Sequence, residues 1–375
     1  MNFRSYLQLK RVFPYIFVFC ILFLQNQAAF ASLDFGGYYK NNLIGIIKKG
    51  GDSLIADENK IRWRIDLRPS PKILLHLEPE YATLIKSLVV PLFEAPELDK
   101  LNWDRLYLKL SFPQTDLTLG KQRIAWGTGH VWNPTDVFNP FALSFAVAEE
   151  ERKGIEAIRL QIPYGPAGGF EGVVLSGNEW AKSKKGLKAK VNIGLFDLSA
   201  SYVDLGDGSN QIGYDSAGEI KGVGVRSETA LVSTPAIPSY LKSVMGLGYT
   251  LDNGWGIDFE YYFNGLGKRS LSNYNWAGLF AGDIVQLGMD YAYLGFNKII
   301  DEITTIQFSF LMNADDQTWI FFPSYERNIS QNVDVGLIAM LVGGQEGGEY
   351  NPTTTQDPTG FIASKRILIK VRYSF

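Results

Sequence analysis

From Ser32 to the last residue, apolar and polar positions alternate with period two in segments of roughly ten residues. Ile61, Trp63, Ile65 and Leu67 alternate with Arg62, Arg64, Asp66 and Arg68. Leu106, Leu108, Leu110 and Phe112 alternate with Tyr107, Lys109 and Ser111. Leu187, Ala189, Val191 and Ile193 alternate with Lys188, Lys190 and Asn192, and Ile257, Phe259 and Tyr261 with Asp258, Glu260 and Tyr262. Successive side chains of a strand point to opposite faces, so each segment predicts a strand with one apolar and one polar face. Such strands are long enough to cross a bilayer when tilted.

Short turn-forming connections fall at Pro69 to Lys72, Pro113 to Thr115, Pro163 to Gly168, Phe196-Asp197, Asp252 to Gly254, Asn297 to Asp301 and Asn328 to Gln331. Longer, irregular segments lie between them. Seven short turns, with both chain ends on the same side, predict an all-β transmembrane antiparallel barrel of about 16 strands, within a range of about 14–18. Parity places Gly206 to Tyr240 in one long outer loop, although Ile220 to Arg226 has some strand character. A barrel of this size leaves an aqueous lumen instead of a core filled by side chains.

Composition agrees with that class. The mean hydropathy of −0.03 argues against a bundle of membrane helices, whereas a barrel's alternating strands average out to such a value. A net charge of −3 offers no basic footprint for nucleic acid. Residues 1–31 carry the pattern of a cleaved signal peptide: Arg4, Lys10 and Arg11, an apolar run from Val12 to Leu24, and Ala29-Phe30-Ala31 before the cut. The run is short for a membrane helix and contains Pro14. Residues 32–375 then form one barrel domain. Cys20, the single cysteine, lies inside the leader, so the exported chain has no disulfides and needs another source of stability. A closed hydrogen-bonded barrel supplies it.

One stretch departs from the alternation. Gly120-Lys121-Gln122-Arg123-Ile124-Ala125-Trp126-Gly127-Thr128-Gly129-His130-Val131-Trp132-Asn133-Pro134-Thr135-Asp136-Val137-Phe138-Asn139-Pro140 ends the fifth strand and begins the third outer loop. Its two Asn-Pro steps forbid a regular strand or helix. Alternation from Leu117 and Leu119 points Lys121 and Arg123 outward; a bulge at Gly120, the favoured reading, turns them inward.

These features carry a resemblance. Ile367, Ile369, Val371, Tyr373 and Phe375 share one face of a terminal strand that ends on an aromatic residue. This resembles the C-terminal signal strand that outer-membrane proteins present to the assembly machinery of Gram-negative bacteria, which implies that machinery as a partner of Tyr373 and Phe375. The whole exported chain resembles a Gram-negative porin-like β-barrel. More narrowly, the stretch from Gly120 to Pro140 resembles a GxQ…WGxG…NPxDxFNP signature of little-characterised porin-like outer-membrane families. In trimeric porins the third outer loop folds inward and narrows the channel. The resemblance therefore implies that 126–151 enters the lumen, with Trp126, His130, Trp132, Asp136, Phe138, Glu149 and Glu150 at the constriction. The loop's apolar residues need a wall to pack on, and packing against the rim is the other option. The loop motif of general trimeric porins is absent, which leaves the oligomeric state open.

The polar faces place Arg62, Arg64, Lys109, Lys188, Lys190, Lys370 and Arg372 toward the lumen, a basic wall opposite the acidic loop. Glu78, Asp258 and Glu260, with Asp66, Glu80 and Asp290, also face inward and blunt any net field, so ion selectivity is expected to be weak. Tyr261, Tyr291, Tyr293, Trp319, Tyr373 and Phe375 are assigned to the aromatic girdles. Enzyme chemistry is not supported. His76 and His130 are the two histidines, and no nucleophile and base stand in a recognisable arrangement. Asp204 to Asn210 lacks the spacing of a calcium loop, so neither metal nor cofactor is expected. The sequence thus points to passive diffusion of small hydrophilic solutes through an outer-membrane channel, in contact with lipid and lipopolysaccharide. The alternative is a barrel for export, assembly or binding of a surface polysaccharide, with Trp126 and Trp132 as stacking rings.

Overall fold

The computed structural model describes residues 32–51, 53–86, 100–138, 153–165, 167–175 and 180–375; the expected leader lies outside them. The strands are β1 (Ser32–Ile47), β2 (Ser53–Ser70), β3 (Ile73–Lys86), β4 (Lys100–Phe112), β5 (Thr115–Gln122) and β6 (Ile155–Tyr164). Next come β7 (Gly168–Leu175), β8 (Lys185–Ile193), β9 (Phe196–Asp204), β10 (Asn210–Ile220), β11 (Val223–Ser233) and β12 (Tyr240–Thr250). The chain ends with β13 (Trp255–Asn264), β14 (Asp290–Asp301), β15 (Thr304–Asn313), β16 (Thr318–Ser330), β17 (Val333–Gly343) and β18 (Lys365–Ser374). A short helix, α1 (Trp276–Ala281), lies in the connection from β13 to β14.

Each strand pairs antiparallel with its neighbours in sequence, and β1 pairs with both β2 and β18, which closes the sheet into an 18-stranded barrel. The two faces follow the alternation in the sequence. Leu33, Phe35, Ile158, Leu187, Met245, Leu247, Ile367 and Ile369 point outward and are exposed. Lys60, Arg62, Glu78, Glu80, Gln211, Asp215, Glu228, Glu260 and Lys370 point inward and are buried. An apolar exterior with a polar interior is the arrangement a bilayer demands. Tyr373 and Phe375 stand on the exposed outer face beside Phe35, and Phe375 exchanges backbone hydrogen bonds with Gly37 at the seam.

The strand count of about 16 is corrected to 18. Short turns exist at or beside all seven expected places, two of them displaced from Phe196-Asp197 to Gly194-Leu195 and from Asn297–Asp301 to Glu302-Ile303, and an eighth joins β10 to β11 inside the stretch assigned to a long outer loop. That turn is Lys221-Gly222, both at positive φ (51° and 83°), so two left-handed residues reverse the chain without the usual Asn-Gly signal. Small and polar residues on β10, among them Gly213, Ser216, Ala217 and Gly218, dilute the hydrophobic alternation there.

The expected bulge at Gly120 is also corrected. The ladders from β5 to β4 and to β6 run through Lys121 without a register shift. Lys121 therefore keeps the outward side of Leu117 and Leu119. Gly120 has φ +116°, and a Cβ there would stand 2.4 Å from the Leu106 carbonyl oxygen. Close backbone approach explains this glycine, and an inserted residue does not.

The eighth turn can be checked in cells. With Cys20 of the expected leader as the single cysteine of the sequence, Lys221→Cys is expected to resist a membrane-impermeant maleimide in intact cells and to label after the outer membrane is permeabilised. Labelling of intact cells would return this segment to the outside and remove two strands.

Candidate functional site

After Gln122 the chain leaves the wall and turns into the barrel. Ile124, Trp126 and Phe138 form a cluster with Ala157, Val173 and Val203 of β6, β7 and β9. Trp126 meets the Phe138 ring edge-on at 4.8 Å between centroids, and its Nε1 donates to Glu171 Oε1 at 2.8 Å. The two rings lie over Gly186 of β8, where a Cβ would come within 2.6 Å of Phe138 and 2.8 Å of Trp126. Thr135 is seated in the same way over Gly213 of β10. The wall has removed side chains where the loop must lie.

The loop then reaches farther round the lumen. Five consecutive backbone N–H groups, from Thr128 to Trp132, point at two carboxylates. Glu228 of β11 accepts from Thr128 N and Gly129 N, both at 2.5 Å, and from Thr135 N (3.2 Å) and Thr135 Oγ1 (2.9 Å). Glu260 of β13 accepts from His130 N, from Val131 N at 2.8 Å and from Trp132 N at 3.3 Å. Successive N–H groups curled toward one point form an anion-binding nest. The two glycines of the signature permit it. Gly127 has φ +92° and lies so close to Glu228 that a Cβ would stand 2.5 Å from its carboxylate. At Gly129 a Cβ would overlap the Trp132 carbonyl oxygen.

Arg226 of β11 steadies the second carboxylate. It crosses over Gly246 of β12 and donates to Glu260 at 3.0 Å and to Asp258 at 2.9 Å. Trp132 stacks on Tyr262 at 5.2 Å and lies 6.0 Å from Tyr291, inside an apolar cluster on the inner wall that also holds Leu311, Ile320, Met340 and Tyr350. His130 is the one exposed side chain between 126 and 138; its ring stands 5.5 Å from Tyr293. Asp136 is buried in the loop's seat, so it does not present its charge to the opposite wall as expected. Glu149 and Glu150 lie outside the described residues.

The expected basic wall is a lattice of ion pairs. Arg62 binds Glu80 at 2.5 Å and approaches Asp104 (3.5 Å) and Glu78 (3.6 Å). Lys109 pairs with Asp116, Lys188 with Asp215, Lys190 with Asp197 and Lys370 with Glu326, at 2.7–2.9 Å. Arg372 and Arg62 lie over the Tyr38 ring, at 4.3 and 5.6 Å from its centre, and Arg64 is exposed. Five of the seven inward cations, Arg62, Lys109, Lys188, Lys190 and Lys370, meet acids that the same alternation supplies from neighbouring strands.

Three girdle and charge assignments are corrected as well. Tyr291 and Tyr293 face inward and are buried; they belong to the loop's seat and not to a membrane interface. Asp290 keeps the opposite parity and accepts from Tyr261 OH on the outer side. Glu228, the first anchor, went unread because its strand was counted as loop.

Removing an anchor leaves buried N–H groups without an acceptor, and a charge-assisted bond is lost with each. Glu228→Ala is expected to lower stability by about 2–4 kcal/mol in urea titration of the refolded barrel, with a red shift in tryptophan fluorescence as Trp126 meets water. Arg64→Ala, at an exposed position, is expected to leave both readouts unchanged.

No family model matches the chain, and no curated protein does. Among solved structures, Pseudomonas aeruginosa OccK5 (OpdH) aligns with a TM-score of 0.58 at 9% identity, covering 92% of this chain and 98% of its own. A doubly substituted OccD1 (OprD) gives 0.57 at 10% identity over 91% and 95%. Pseudomonas aeruginosa OccK11 (OpdR) gives 0.56 at 10% identity over 91% and 96%. At such identities the likeness is one of fold: a closed barrel of the same general architecture over nearly the whole chain.

Proposed function

We propose that this chain is an outer-membrane channel for passive diffusion of small hydrophilic solutes, with the third loop setting its constriction. One observation carries the reading: the loop from β5 is moored by Glu228 and Glu260 on the inner wall, across a lumen lined with polar side chains. A barrel of 18 strands is too wide for wall side chains to fill, and a loop fastened across it narrows the water path that remains. Among the described loop residues, Trp126, Trp132 and Phe138 are covered by the wall, and His130 is the exposed side chain between them. The fold likeness to OccK5 and OccD1 is consistent with this reading.

The polysaccharide alternative loses its proposed stacking rings. Trp126 and Trp132 are only 3% and 6% exposed, each packed against the wall. A glycan site would have to be built from other residues. Tyr373 and Phe375, exposed at the seam, remain the residues we assign to contact with the assembly machinery.

Planar-bilayer recording of refolded protein tests the channel. Discrete conductance steps are expected, and the double variant Glu228→Ala/Glu260→Ala is expected to enlarge them several-fold by freeing the loop. Unchanged steps would remove the loop from the constriction. Because Arg62, Lys109, Lys188, Lys190 and Lys370 are paired with carboxylates, the reversal potential in a salt gradient is expected to stay near zero; a strong preference for either ion sign would contradict the paired lattice.

A further inference from the structure

A second connection also folds inward. Residues 344–364, between β17 and β18, pass over the inner wall of β14–β16 and bury Glu349 and Tyr350 there (2% and 1% exposed). Glu349 accepts from Tyr291 OH at 2.5 Å, from Asn313 Nδ2 at 2.8 Å and from Leu287 N at 3.3 Å. Asp316, fully buried on the turn from β15 to β16, accepts from the Glu349 N–H at 2.7 Å, from the same Asn313 amide at 3.1 Å and from Tyr274 OH at 2.9 Å. Two carboxyl groups thus share one asparagine in a site closed to water. Among the described residues neither has an ion-pair partner.

The pair is faced by Tyr274 from the connection between β13 and β14, Tyr291 from β14 and Tyr350 from the loop itself. The buried cation Arg366 holds the far end of the loop, donating to Ser364 Oγ and the Phe361 carbonyl. Lys49, at the tip between β1 and β2, is engaged farther along the loop: it pairs with Glu346 at 3.1 Å and donates to Asn351 Oδ1 and the Pro352 carbonyl. The loop therefore straps the mouth from one wall to the β1–β2 rim. Its buried latch touches the constriction loop through one ring, because Tyr291, which holds Glu349, is also packed beside Trp132.

We propose that 344–364 is a pH-responsive lid on the pore, latched when Glu349 carries a proton and released when Glu349 and Asp316 are both ionised. The proposal rests on the channel reading and adds a regulation to it. Burial and the neighbouring Asp316 push the Glu349 carboxyl up to about 7, from an ordinary 4.5. The seated lid thus binds the proton more tightly than the free lid does. Its seating is fully favoured below pH 4.5, weakens as pH rises from 4.5 to about 7, and gains nothing from the proton above that. A rise from 4.5 to about 7 corresponds to roughly three-hundredfold in the seated-to-free ratio over the whole window.

Hydrogen exchange of the refolded full barrel, corrected for the chemical rate, tests the latch at pH 5.5 and 8.5. Protection at Glu349, Tyr350 and Ile362 is expected to fall by roughly thirtyfold at the higher pH in the unaltered protein, part of the proton's contribution being already lost at pH 5.5, and to stay high in Glu349→Gln. Asp316→Asn, which removes the repulsion, lets the seated Glu349 carboxyl fall back toward its ordinary range and is expected to move the transition to lower pH, with a smaller loss of protection between the two conditions. Protection independent of pH in the unaltered barrel, or a pH response that survives Glu349→Gln, would overturn the latch. In bilayers the conductance step is expected to be larger at pH 8.5 than at 5.5, and a released lid with an unchanged step would overturn its action on the pore. A barrel that conducts at neither pH would refute the channel reading itself, while the exchange comparison still decides the latch.

Discussion

Two carboxylates on the inner wall hold the interior of this barrel in place. Glu228 and Glu260 together take the N–H groups from Thr128 to Trp132, and a loop so held cannot follow the rim or lie in the solvent. Hydrogen bonds to an ionised acceptor are roughly twice as strong as neutral ones. They gain further where water is excluded, and Glu228 and Glu260 are both fully buried. The anchors also account for the signature residues. Gly127 and Gly129 curl the backbone into the nest, Thr135 adds a hydroxyl, and the Asn133-Pro134 corner turns the chain back so that Phe138 can rejoin Trp126.

The wall is shaped to accept what these anchors bring. Gly186 and Gly213 leave room for Trp126, Phe138 and Thr135, and Gly246 lets Arg226 lie flat on its way to Glu260. A glycine in a strand lacks packing and costs backbone entropy, so its place is where another group approaches closely. Here the approaching group is a loop side chain or an ion pair. The same wall supplies aromatic surface on the other side: Tyr262, Tyr291 and Tyr293 receive Trp132 and His130. Each end of the described loop is thus fastened by a ring in an apolar pocket, and the middle by charge. Apolar packing sets position, and the carboxylates set direction.

The barrel class was legible because lipid imposes a rule on every strand. Ile61 to Arg68 or Ile257 to Tyr262 reveal their two faces in a few residues, and seven of the turns announce themselves with Pro, Gly, Asn or Asp. The missing hairpin shows where that signal stops. On β10 the outward positions after Tyr214 are the small Ser216 and Gly218, and the turn is Lys-Gly, so neither periodicity nor turn chemistry stood out, and Glu228 was lost with it. Local alternation also tells which way a residue points without telling what it meets. Lys188 and Lys190 were placed on the correct face, but their partners, Asp215 and Asp197, sit on other strands. Tyr291 and Tyr293 look like girdle residues by spacing, and only the inward loop makes them part of its seat.

The pairing of lumen charges bears on what such a channel could discriminate. An unpaired ring of one sign sets up a potential along the whole pore and filters ions. A cation held 2.7–2.9 Å from a carboxylate, as at Lys109, Lys188, Lys190 and Lys370, behaves instead as a fixed dipole. Its field falls off faster than that of a single charge, and mobile ions screen it beyond about 8–10 Å. Close to the wall the dipoles remain strong, and the lattice around Arg62, Glu78, Glu80 and Asp104 is dense enough to orient a solute carrying hydroxyl or amide groups. A constriction formed by the moored loop would bring solutes within that range. Selection in such a pore would act on size and hydrogen-bonding pattern at the narrow point, and on net charge hardly at all.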